Sequence, residues 1–181
     1  MGSGWRTSRT RVAYENPWIR VREDEVTRPD GEPGIYGVVE VRAPAVFVVP
    51  VTAAGEVVLV EVDRYALGRR SLEVPAGGAD EPDLLAAARR ELREETGLAA
   101  ASWRDLGEVF SLNGVAAAPG RVYLASDLTE VGGAEAAAEG ISGHVAVPIA
   151  RLLDLVADGT LTDNETLGAL LKALVALGRV R

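Results

Sequence analysis

Hydrophobic and polar residues alternate in short runs along the first part of the chain, which predicts strands over residues 12–14, 19–27 and 36–42, the last two joined through the turn Pro29-Asp30-Gly31. The pattern then changes. Residues 46–52 and 56–63 are nearly continuous in apolar side chains, as expected of strands buried on both faces, and Ala53-Ala54-Gly55 predicts a hairpin between them. Leu72-Glu73-Val74-Pro75-Ala76-Gly77-Gly78 closes an apolar strand in a Pro/Gly turn. A helix over 83–96 follows, with Gly97 as its C-cap glycine. Further strands are predicted over 106–111, 121–127 and 144–147, and helices over 149–158 and 163–178. Strands flanked by helices on both sides describe an α/β protein, a layered α/β/α sandwich.

Composition narrows the function classes. At 181 residues, 48% of them hydrophobic, the chain can bury one sizeable core. It divides on this reading into an N-terminal β-strand region over 1–43 and a main domain over 44–181, forming one compact unit. No apolar run approaches the roughly 20 residues that cross a bilayer, and Met1-Gly2-Ser3-Gly4-Trp5-Arg6 leads into polar sequence, so no membrane partner and a cytoplasmic location are expected. The net charge of −8 argues against nucleic acid as a partner, because such binding depends on basic patches that release counterions. Cysteine is absent, which removes disulfides and thiolate chemistry. The single histidine, His144, lies in the alternating segment Gly143-His144-Val145-Ala146-Val147 and reads as a strand residue.

The densest chemistry is Arg90-Glu91-Leu92-Arg93-Glu94-Glu95-Thr96-Gly97-Leu98. Glu91 and Glu95 are four apart and stack on one helical face, with Glu94 beside them. Clustered carboxylates of this kind suit a hard divalent cation such as Mg2+. Arg90 stands four residues before Glu94 and can hold its carboxylate. Alternating Arg and Glu also describes a solvated helix face with supporting ion pairs. The upstream strand and glycine loop favour the site reading, since strand, loop and acidic helix then form one unit.

These residues resemble the Nudix hydrolases, whose signature is Gly, five residues, Glu, seven residues, then Arg-Glu-apolar-any-Glu-Glu-any-Gly-apolar. Arg90 to Leu98 match the second half at every fixed position. In the first half the counterpart glycine is Gly77, one residue late, as a single deletion in Gly77-Gly78-Ala79-Asp80-Glu81-Pro82-Asp83 would produce, leaving Glu81 or Asp83 as the first acidic position. Asn16-Pro17-Trp18-Ile19-Arg20-Val21, Arg64-Tyr65, Leu72 to Gly77 and Asp163-Asn164-Glu165-Thr166-Leu167 resemble the branch that hydrolyses ADP-ribose and other nucleoside diphosphate sugars. That branch carries an acidic residue just before the arginine matched here by Arg121, where this chain has Gly120.

The resemblance implies a Nudix-type α/β/α sandwich with a mixed sheet and a small N-terminal antiparallel region. It implies Mg2+, with Mn2+ as a substitute, held by Glu91, Glu94, Glu95 and the backbone carbonyl of Ala76, and catalysis by Glu91 and Glu95 with Arg90 orienting a glutamate. A loop glutamate would activate water, Glu139 first and Glu135 second. Arg64, Tyr65, Trp18 and Glu73 fall on the substrate-binding side, and the implied partner besides a small nucleotide is a second copy of the chain, in a homodimer. Three functions follow: a nucleoside diphosphate sugar pyrophosphatase, a house-cleaning nucleoside triphosphate pyrophosphohydrolase, or a noncatalytic nucleotide-sensing module.

Overall fold

A computed structural model of the chain describes residues 4–133 and 140–180. In chain order the strands and helices are β1 (Arg6–Glu15), β2 (Ile19–Thr27), β3 (Pro33–Val41), β4 (Ala45–Pro50), β5 (Glu56–Arg64), β6 (Arg69–Glu73) and β7 (Ala76–Gly78). Helix α1 (Leu84–Thr96) follows, then β8 (Leu98–Phe110), β9 (Ala116–Ala117), β10 (Pro119–Glu130), β11 (Ile141–Pro148), α2 (Ile149–Ala157) and α3 (Asn164–Ala176). No helix among them is long and apolar enough to cross a membrane. The chain forms two compact units, one of residues up to Pro44 with Phe110–Pro119, the other of Ala45–Val109 with Gly120–Arg181.

The first unit is a sheet in the order β1-β2-β3-β9. Antiparallel pairing carries β1 to β3, and the turn at 28–32 closes with Gly31 at φ 90°, a conformation glycine adopts without strain. Ala116 and Ala117 add parallel to Val39 and Glu40, which draws a segment from late in the chain into this unit. Sequence reading assigns that segment to the main domain, because a two-residue strand has no periodicity to detect.

The second unit holds two sheets, β7-β4-β10-β8 and β11-β5-β6. The predicted hairpin between β4 and β5 is reduced to its turn: Thr52 N–H donates to Glu56 O at 2.9 Å, one bridge joins Val51 to Val57, and the strands then part into different sheets. Burial on both faces is the reason. Val46 and Val48 pack with Ala87, Ala88 and Leu92 of α1, whereas Phe47 and Val49 on the opposite face pack with Val57 and Leu59 of β5 and with Leu170 and Leu174 of α3. A central sheet is thus covered by α1 on one side and by the second sheet with α2 and α3 on the other.

Helix α1 starts where Asp83 accepts from the N–H groups of Leu85 and Ala86, and it ends at Gly97, φ 71°, whose N–H donates to Arg93 O. Its buried residues are Ala87, Ala88, Glu91, Leu92, Glu95 and Thr96, a single stripe repeating every third to fourth residue. Glu91 and Glu95 therefore occupy the inward stripe, and the reading of a merely solvated ion-pair face does not hold for them.

Candidate functional site

Glu91 is 3% exposed and Glu95 6%, so the fold spends two inward positions of α1 on carboxylates. Burying a charge is costly unless it is paired and hydrogen-bonded. Glu95 Oε2 accepts from the Ala76 N–H at 3.0 Å. Glu91 Oε1 lies 2.8 Å from Arg90 Nη1, while its Oε2 is buried and accepts no hydrogen bond. Gly77 explains how the carboxylate fits: a Cβ at position 77 would stand 2.1 Å from Glu91 Oε1 and 2.3 Å from Cδ. Glycine here is a cradle for Glu91 rather than a turn residue.

Arg90 organises the rest. Its Nη1 donates to Glu94 Oε2 at 3.0 Å, as the four-residue spacing predicts, and its Nη2 donates to Gly78 O at 2.8 Å. Its Nε lies 3.5 Å from Glu81 Oε1. Burial works against this guanidinium's charge, yet the bond to Glu94 and the fields of Glu91 and Glu81 outweigh it and drive its pKa further up. Of the two acidic residues left open by the shortened loop, Glu81 reaches the site and Asp83 is occupied with capping α1. Replacing Arg90 with alanine is expected to cost about 2–3 kcal/mol of stability, at the low end for breaking a buried pair because Arg90 is partly solvated. Urea denaturation checks this, and an unchanged midpoint would make Arg90 a bystander.

Beside the acidic helix, Arg64 forms a two-pronged pair with Glu73, Nε to Oε1 at 3.0 Å and Nη2 to Oε2 at 2.5 Å. The bond to Glu73 outweighs burial and raises the Arg64 pKa, with Asp163 and Glu95 adding to it. The guanidinium fork of Arg64, expected on the substrate-binding side, is thus engaged with Glu73. Tyr65 is 99% exposed and Trp18, in the first unit, 74% exposed, so both rings are open to solvent.

Gly120 has a packing reason: a Cβ there would lie 2.6 Å from Phe47 Cε2 and 3.2 Å from Val109 Cγ2, leaving no room for an acidic side chain. Arg121 instead takes its carboxylate from β8, donating from Nε to Asp105 Oδ1 at 3.0 Å and from Nη2 to Oδ2 at 2.6 Å. This bond holds the Asp105 carboxyl below the usual carboxylate range.

A family model described as NUDIX domain matches residues 41–153, more than half of the chain. The chain belongs to the Nudix family. A second model, the nucleoside diphosphate sugar hydrolase N-terminal domain, matches residues 5–39. The ADP-ribose pyrophosphatase of Mycobacterium tuberculosis (strain ATCC 25618 / H37Rv) is 42% identical over 119 residues, which cover 64% of this chain and 56% of that protein. The chain therefore matches just over half the length of this relative. A crystal structure of an ADP compounds hydrolase superposes with a TM-score of 0.85 at 20% identity, covering 97% of each chain, and shows that the fold is shared.

On this Nudix fold Arg90, Glu91, Glu94, Glu95, Ala76, Arg64 and Glu73 all lie in the second unit: Arg90 gathers Glu91 and Glu94, Ala76 meets Glu95, and Arg64 pairs with Glu73. Among the described residues no three carboxylate or imidazole groups stand preassembled around one point, since Arg90 and the Ala76 N–H hold the oxygens they touch. Glu139 and Glu135 lie outside the described residues. His144 sits in β11 opposite Val60, as a strand residue. Sequence reasoning missed that Gly78 O anchors Arg90 and that Thr166 accepts from the Val74 N–H just past β6. The first rests on a backbone atom and the second on a pair 92 residues apart, and neither leaves a local signal.

Proposed function

We propose that this chain hydrolyses the pyrophosphate bond of a nucleoside diphosphate linked to another moiety, with ADP-ribose or a related nucleotide sugar as substrate. The observation that carries the reading is the carboxylate set of α1 held against a glycine cradle. Arg90 gathers Glu81, Glu91 and Glu94, Arg93 adds to Glu94, and Glu95 is held by the Ala76 N–H. Carboxylates so clustered, all hard oxygen donors, fit a divalent cation, Mg2+ first and Mn2+ as its substitute. Glu91, Glu94, Glu95 and the Ala76 carbonyl would hold it, and when bound it neutralises charge on phosphate oxygens and lowers the pKa of water. The protein's own part is orientation. Arg90 keeps Glu94 and Glu91 in place, and the Ala76 N–H keeps Glu95 turned to the loop. Glu139, with Glu135 as second choice, accepts the proton of the attacking water. Arg64 with Glu73 and Tyr65 receive the nucleotide, the exposed Tyr65 ring offering a stacking face, and Trp18 is a candidate stacking ring of the first unit.

The nucleotide-sugar substrate is supported by the N-terminal family match and by the relative's activity. The test is a substrate panel with and without chelator. ADP-ribose cleaved to two monophosphates only when Mg2+ or Mn2+ is present is the expected result, and Glu139→Gln should slow turnover by about 100-fold with binding preserved. Pyrophosphate released from triphosphates, or metal binding without hydrolysis, would replace this reading with the house-cleaning or sensing function. We also place the protein in the cytoplasm as a homodimer. Strand β1 is at the sheet's edge and exposed along all ten residues, Val12 and Tyr14 included, an open edge that a second copy can cover. A monomeric mass by light scattering would rule out the dimer.

A further inference from the structure

The backbone between β6 and β7 is short of ordinary partners. β6 ends at Glu73 and β7 begins at Ala76, so Val74 and Pro75 lie outside both ladders, and proline has no N–H to donate. Pro75 O accepts from the Val48 N–H at 2.8 Å. The two remaining N–H groups go to side chains on different helices: Val74 donates to Thr166 Oγ1 of α3 at 3.1 Å, and Ala76 donates to Glu95 Oε2 of α1 at 3.0 Å. Three residues of chain therefore tie the first turn of α3 to the acidic stripe of α1.

Thr166 is built for one position. It is 1% exposed, and its N–H donates to Asp163, the N-cap of α3, at 2.7 Å. Its Oγ1 receives the Val74 N–H. A threonine supplies that acceptor, and a valine of the same shape does not. A buried N–H left without its acceptor would make the segment shift toward another partner. Any shift of Val74 is passed through Pro75 to Ala76, because proline restricts both its own backbone and the residue before it.

We propose that Thr166 is a positioning residue for Glu95: by holding the Val74 N–H it sets where the Ala76 N–H and carbonyl lie, and so how Glu95 and the loop present their oxygens to a divalent cation. The inference rests on the proposed hydrolase reading for its effect on turnover, but the backbone clamp exists without it. Thr166→Val removes the acceptor and keeps the shape, Thr166→Ala removes it with better helix propensity, and Thr166→Ser restores it.

The decisive measurement is hydrogen exchange at the Ala76 amide in the metal-free protein, read beside Mn2+ affinity and the kinetics of ADP-ribose hydrolysis. In the valine and alanine variants Ala76 should exchange at least about tenfold faster relative to the amides of β4 and β10. Mn2+ affinity and kcat should both fall by about 10- to 100-fold, the range for groups that orient a ligand, with KM moving less than kcat. Thr166→Ser should return all three toward wild type. Wild-type Ala76 exchange and Mn2+ affinity in both variants, whatever their melting temperatures, would overturn the proposal and leave Thr166 a helix-capping residue. If one variant fails to fold, the other is read alone, and if neither folds, failure of Thr166→Ser to restore wild-type Ala76 exchange counts against the clamp. Were the wild-type protein to hydrolyse no ADP-ribose, the functional reading would fall, and Ala76 exchange would still decide this one.

Discussion

Glu95→Gln is expected to lower kcat/KM for ADP-ribose by about a thousandfold while the protein stays folded. A cation holding the phosphate is worth several kcal/mol of charge stabilisation, and about 1.4 kcal/mol is a factor of ten in rate. Removing one charged oxygen from its shell forfeits most of that. Folding should survive because the substitution changes charge and not shape: a glutamine carbonyl can still accept the Ala76 N–H that now bonds Glu95 Oε2 at 3.0 Å. Steady-state kinetics beside a thermal melt separate the two effects. A variant that turns over at the wild-type rate would remove Glu95 from the metal-binding set.

Gly77→Ala is expected to have the second largest effect, a loss of about 100-fold in kcat/KM or more, from a methyl group that touches no substrate. The added Cβ would lie 2.1 Å from Glu91 Oε1, 2.3 Å from Cδ and 2.6 Å from Oε2, all inside van der Waals contact. No backbone atom is among these neighbours, so the strand need not move and Glu91 must. Glu91 is nearly fully buried and paired with Arg90, and its carboxylate can escape only by leaving that pair. The stability cost should stay within about 1–3 kcal/mol, as for other overpacked sites. An intact Gly77→Ala protein with wild-type kinetics and wild-type Mn2+ affinity would show that the position of Glu91 is immaterial.

The two variants probe different levels of the same structure. Glu95 was legible as a candidate ligand from residue type and spacing. Gly77 was legible only as a member of a glycine loop, because what it accommodates comes from a helix fourteen positions further on. Arg121 shows the same limit. A glycine where the resembling branch has an acid suggested a lost group, yet Phe47 and Val109 fill the space and Asp105 supplies the carboxylate from a neighbouring strand.

Strand β2 runs from Ile19 to Thr27, the span its pattern predicts, and α1 runs between the cap residues its sequence announces. Both are encoded locally, by side-chain periodicity and by groups that satisfy helix-end N–H and C=O within a few residues. The acidic i, i+4 pair and Arg90 to Glu94 are likewise local facts of helix geometry. Strand β8 was a different matter: it begins at Leu98, eight residues before the predicted start, through an alanine-rich stretch with no alternation, and it is a strand because β10 lies beside it. The parting of β4 from β5 was also decided in three dimensions, since continuous apolar runs demand cover on both faces without saying which element provides it. By itself, then, the sequence determined the elements with their own period or cap and the acidic helix with its stripe of carboxylates. Tertiary structure alone decided which backbone groups meet those carboxylates, because hydrogen bonds such as Val74 to Thr166 join residues 92 apart and leave no trace in local pattern.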